Sequence, residues 1–97
     1  MVKHVILWKL KEEFNTCEIK QGIKNGLEAL YGKIDGLVEI KVQTDKLDSS
    51  NADVMLWSVF ENEEALKAYA VHPLHVEVAD TKVRPFTETR MCIDFAE

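Results

Sequence analysis

Glu64-Ala65-Leu66-Lys67-Ala68-Tyr69-Ala70-Val71-His72-Pro73-Leu74-His75 reads as a helix that breaks once. Ala, Leu and Lys favour a helix up to Val71. Pro73 has no N–H and stops that helix, yet suits the first position of a new one. Asn62 is placed to cap the first segment, with Glu63 and Glu64 in its first turn, where the helix dipole favours acids. Tyr69 is expected to be buried. A phenol and an imidazole, Tyr69 and His75, thereby meet at one interruption of the backbone.

Strand candidates flank this broken helix. Before it, Asp53 to Phe60 sets Met55, Trp57 and Val59 on one side and Val54, Leu56 and Phe60 on the other. After it, Arg84-Pro85 ends the second segment and Thr87 to Phe95 supplies a last strand. Further upstream, Leu37 to Thr44 places Val38, Ile40 and Val42 against Glu39, Lys41 and Gln43, a strand with one wet face near a sheet edge. Between these two strands Asp45 to Ala52 is a polar loop. At the start, Val2 to Leu10 is apolar on both sides: Val2, His4, Ile6, Trp8 and Leu10 on one, Val5 and Leu7 on the other. Asn15-Thr16-Cys17-Glu18 fits a capping box. Ile19, Ile23, Leu27, Leu30 and Ile34 follow as one helical stripe, closed by Gly32 and Gly36.

The order is strand, helix, strand, strand, broken helix, strand. That is the ferredoxin-like order, an α+β antiparallel sheet with its helices on one face. A chain of 97 residues makes one domain with one core. The first and third strands are apolar on both faces, while the helices cover only one. An uncovered apolar sheet face is unusual for a lone chain. A second copy is therefore the expected partner, giving a homodimeric α+β barrel with His4 on its inner side.

A net charge of −5 without a Lys/Arg run disfavours nucleic acid and anionic membrane surfaces as partners. No apolar run exceeds four residues, as in Val5 to Trp8, far too short to span a bilayer. No secretory leader is evident in Met1-Val2-Lys3-His4, so a cytoplasmic location is expected. Cys17 and Cys92 read as free thiols. No Cys/His quartet, G-x-G-x-x-G, P-loop or G-x-S-x-G word occurs, so neither a metal nor another cofactor is expected. Asp45, Asp48 and Asp53 can gather a divalent cation weakly or simply form a solvated turn.

His4-Val5-Ile6-Leu7-Trp8, Asp53 to Phe60, Tyr69-x-x-His72-Pro73-x-His75 and Cys92-Ile93-Asp94-Phe95 together resemble the stress-responsive A/B barrel (Dabb) family over nearly the whole chain. The resemblance implies a dimeric α+β barrel. One plant branch of the family consists of polyketide cyclases that close an aromatic ring by intramolecular aldol condensation. That likeness implies His75 as general base, Tyr69 as an orienting donor and His4 as partner. A third-strand His of those cyclases aligns with Val54 here. Trp8, Val54, Trp57, Phe60 and His72 are candidates to contact a small apolar ligand. Three readings stay open. One is a homodimer without turnover, in which His75 and Tyr69 are structural. The second is a cyclase-like binder of an apolar molecule in the barrel. The third is a cofactor-free or haem-using monooxygenase, as in related barrels.

Overall fold

The computed structural model describes residues 1–97. Four strands, β1 (Val2–Leu10), β2 (Leu37–Gln43), β3 (Val54–Phe60) and β4 (Thr87–Ala96), form one sheet in the order β2-β3-β1-β4. All three pairings are antiparallel. Helices α1 (Cys17–Glu28), α2 (Glu63–Val71) and α3 (Pro73–Val78) complete the ferredoxin-like α+β fold.

The sheet order explains the sequence pattern. β1 and β3 are the inner strands, so neither has a free edge. Their even-numbered residues turn toward the helices: Ile6, Trp8 and Leu10 from β1, and Val54, Leu56 and Phe60 from β3, all buried. They pack with Ile23 and Leu27 of α1 and Tyr69 of α2 in one core. The registers Val5↔Trp57 and Val5↔Ile93, and Leu7↔Met55 and Leu7↔Met91, put these residues together on the opposite face. There Leu7, Met91 and Ile93 are 42%, 67% and 62% exposed. His4 is on the helix side, not on the face expected to line the interior between two sheets, because it alternates in phase with Ile6 and Trp8.

Three local expectations need correction. Thr16, not Asn15, caps α1, its hydroxyl accepting from the Ile19 N–H at 3.2 Å. The helix stops at Glu28, short of Leu30 and Ile34. Both residues are still buried, because consecutive tight turns (Leu30 N–H to Leu27 O, Lys33 N–H to Leu30 O) repeat the spacing of a helix. Gly32 and Gly36 supply the positive φ of 82° and 83° that these turns require. In β2 the register shifts between Leu37 and Glu39, which turns Val38 outward and buries Leu37 in its place.

Asp53 belongs to no solvated turn. It is 6% exposed, and its carboxylate accepts from the Leu10 N–H at 2.8 Å and from Lys46 Nζ at 2.7 Å. Burial raises its pKa, but the Lys46 and Leu10 hydrogen bonds outweigh that and hold it below the ordinary value. It pins the end of β1 to the loop before β3.

Candidate functional site

The helix break builds the site. Pro73 cannot donate to Tyr69 O, so the His72 N–H takes that carbonyl at 3.1 Å. The Leu74 N–H, which a continuous helix would direct to Ala70 O, instead donates to His72 Nδ1 at 3.1 Å. Ala70 O is left free, and His75 Nδ1 reaches it at 3.3 Å. A carbonyl can only accept, so Nδ1 carries the proton and Nε2 keeps its lone pair. Burial, which penalises the imidazolium, pushes the His75 pKa down. The bond to Ala70 opposes that, whereas the nearby Arg84, His4 and Arg90 add to the lowering. His75 is therefore a neutral imidazole near pH 7 with one free acceptor.

Tyr69 stands beside it, ring centroids 4.1 Å apart, with Phe60 behind at 4.9 Å. The tyrosine is 1% exposed, and its hydroxyl has no hydrogen-bond partner. Burial raises its pKa strongly, so the group stays a phenol and can donate. A buried hydroxyl without a partner costs roughly 1–3 kcal/mol.

His4 comes to the same place from β1. Its ring lies 6.3 Å from that of Tyr69. Nδ1 sits 2.5 Å from Asp94 Oδ1 on the neighbouring strand, so the ring donates there and is held in place by the carboxylate. His4, Tyr69 and His75 all line one cavity of about 190 Å³ between the sheet and its helices. Its walls are mostly apolar, with Ile6, Trp8, Leu56, Leu66 and Val83 among them, and Arg84, Thr87 and Arg90 add polar groups. A second, more open basin of about 590 Å³ lies beside α2 and β4 and shares His4, Leu66, Ala70 and Arg90 with it. The two adjoin as one cleft, an inner chamber and a more open vestibule.

Of the residues expected to touch a ligand, Trp8 lines the chamber. Phe60 backs Tyr69 without lining the cavity. Val54 borders a separate cleft under the loop before β3. Trp57 lies on the opposite face of the sheet, its indole donating to Glu39 at 3.4 Å. His72 is a helix cap. Arg90, Cys92 and Asp94 were not anticipated. Their signal was a polar alternation on the helix-facing side of a strand, where apolar residues belong.

The His4, Cys92 and Asp94 donor atoms lie within 4.8 Å of one another, near enough to consider a metal. Ligands of a tetrahedral zinc with bonds of about 2.0–2.1 Å stand roughly 3.3 Å apart. The 2.5 Å between His4 Nδ1 and Asp94 Oδ1 is that of a hydrogen bond. Burial and Asp94 raise the Cys92 thiol, which keeps it from being a ready thiolate ligand. The trio reads as a carboxylate orienting an imidazole.

The sequence profile of the Stress responsive A/B Barrel Domain family, Dabb, matches residues 2–97. The chain belongs to this family. A stress-response A/B barrel domain-containing protein of Arabidopsis thaliana is similar, 31% identical over 97 residues. The match takes in 98% of this chain but 36% of that plant protein, so the chain spans about a third of the relative's length. Among solved structures, a dimeric ferredoxin-like protein of unknown function from Bacteroides fragilis superposes with a TM-score of 0.87 at 31% identity, over 97% of this chain and 93% of its own. The At3g17210 protein of Arabidopsis thaliana superposes with a TM-score of 0.85 at 25% identity, over 100% and 95%. Dabb membership agrees with the four-stranded sheet and broken helix described above. No helix is long and apolar enough to cross a membrane.

Proposed function

We propose that this Dabb protein is a homodimer that binds a compact, largely apolar carbonyl compound in the chamber of each chain and moves a proton on it. The observation that carries this reading is the unpartnered Tyr69 hydroxyl beside the neutral His75 in an apolar cavity. His75 Nε2 takes a proton from the carbon next to the carbonyl. The C–H electron pair moves into the new C–C double bond, and the carbonyl oxygen becomes the enolate oxygen. Tyr69 donates a hydrogen bond to that oxygen as its charge grows. The His75 imidazolium then returns a proton to the product, while His4, oriented by Asp94, borders the substrate from the β1 side. An enolate formed there can attack a second carbonyl of the same molecule, the aldol closure implied by the cyclase resemblance. A base and a hydrogen-bond donor at one cavity are the two groups that enolisation requires.

Dimerisation follows from the open face. Val5, Leu7, Met55, Trp57, Met91, Ile93 and Phe95 make an apolar surface that one chain leaves in water. The Bacteroides fragilis relative, described as dimeric, offers a precedent for its covering. Exposed free thiols at Cys17 and Cys92 suit a reducing compartment, which supports placing the protein in the cytoplasm.

The test is deuterium incorporation at the α-carbon of an apolar aryl ketone in D₂O near neutrality, followed by proton NMR. The wild type should exceed the buffer rate, and His75→Ala should lose roughly 10²–10⁴-fold of that acceleration while sedimenting as the same dimer. A wild-type rate equal to buffer removes the proton-transfer role. A monomer at micromolar concentration removes the dimer.

A further inference from the structure

The chamber is polarised in a way the proposed proton transfer does not use. Two guanidiniums, Arg84 and Arg90, border it, and no Asp or Glu does. This occurs in a chain with 17 acidic and 12 basic residues, where chance favours the opposite. Arg84 is committed: it donates to Asp80 one helical turn back. Arg90 is in no ion pair, though it acts on the Cys92 thiol and the vestibule it borders also carries Glu63 and Asp94. The nearby acid, Asp94, directs Oδ1 to His4 at 2.5 Å and accepts from Cys92 at 3.4 Å. Arg90 also borders both the inner chamber and the outer vestibule, which places it where the two meet. β4 brings it there because Arg90 alternates in phase with Cys92 and Asp94 and pairs with Trp8 of β1.

Resting on the reading that the chamber holds a small molecule, we infer that its occupant is a carboxylate, an apolar body in the chamber with its anionic end on Arg90. A planar guanidinium offers two parallel N–H donors that match a carboxylate. One unpaired Arg balances one negative charge, which suits a monocarboxylate better than a phosphate dianion. The inner volume of about 190 Å³ suits a single substituted ring or a short branched chain. Arg90 is in this account a specificity residue: it selects and aligns the substrate, while His75 and Tyr69 face the reacting carbon and oxygen. The carboxylate would also offset the positive field that Arg90 places on His75, so binding would strengthen the base when it is needed.

The test compares two probes of one shape, 4-propylbenzoate and 4-propylbenzamide, by calorimetry with the wild type and Arg90→Gln. The wild type should bind the benzoate about tenfold or more tightly than the amide, from one charge-assisted pair. Arg90→Gln should bring the two within about twofold, chiefly by weakening the benzoate, with the preference also shrinking as salt rises. Arg90 is exposed, so the variant should fold, and an unchanged melting curve verifies it. Equal wild-type binding of the two probes overturns the carboxylate inference and leaves the small-molecule reading standing. A benzoate preference that survives Arg90→Gln overturns the role of Arg90. Failure of both probes to bind overturns the small-molecule reading at this site, and the inference with it.

Discussion

Removing one oxygen, in Tyr69→Phe, should make the ligand-free protein more stable and less active. The hydroxyl is buried with no partner, while the ring keeps its neighbours in Phe60 and His75. Phenylalanine fills nearly the same volume, so no cavity opens. The gain is the desolvation cost no longer incurred, roughly 1–3 kcal/mol. In a domain of this size each kcal/mol moves the melting midpoint by about 4–8 °C. Thermal and urea denaturation of both proteins at equal protein concentration measure it, since a dimer's midpoint depends on concentration. The same variant should lose about 10²–10³-fold in α-carbon exchange, the usual effect of deleting one donor to a developing oxyanion. If Tyr69→Phe melts lower than the wild type, the hydroxyl is satisfied in solution. Tyr69 is then a core residue, and the reasoning fails.

Three further outcomes follow from other residues. The His75 pKa lies below its ordinary value near 6.5, so the neutral ring is favoured in the fold. Its contribution to stability is complete above that pH and is lost as pH falls through the folded value. Wild-type stability relative to His75→Gln should therefore shrink below about pH 6.5 in denaturant titrations, and exchange activity should fall on the same side. Asp53→Ala should cost about 2–4 kcal/mol by urea denaturation, because it orphans the Leu10 N–H and strands Lys46. The lowered Asp53 pKa places that stability above about pH 4, to be lost under stronger acid. Gly36→Ala should cost about 2–4 kcal/mol, since φ is +83° and a Cβ would meet that of Ala65 at 2.5 Å. An unchanged melting curve for Gly36→Ala would contradict the close approach of β2 and α2.

The edge position of β2 was legible because inner and edge strands carry different patterns of apolar faces. β1 and β3 carry apolar residues on both sides, and β2 has a wet face. The length of α1 was not legible, because turns through Leu30 and Ile34 place apolar residues at nearly the helical spacing. Val38 misled for a related reason: a register shift reverses alternation without leaving a sign in the residues themselves. The chamber was half legible. Tyr69, His72, Pro73 and His75 lie within seven positions, so a local rule about proline brings them together. Asp94 reaches His4 from 90 positions away, and Arg90 reaches the chamber only through the β1–β4 register. Pairing of that kind is decided by the whole sheet. The side on which His4 points was equally out of reach, since β1 is apolar both ways and either face could have taken the helices.

The two tryptophans give the most direct test. Trp8 lines the chamber, and Trp57 lies on the opposite face of the sheet. Their indole N–H signals in a ¹H–¹⁵N spectrum therefore report the two faces separately. On titration with an apolar aryl ketone or 4-propylbenzoate, the account predicts that the Trp8 signal moves with saturation while the Trp57 signal holds still. Movement of Trp57 with a silent Trp8 would put the ligand on the open face of the sheet and contradict a site built at the helix break.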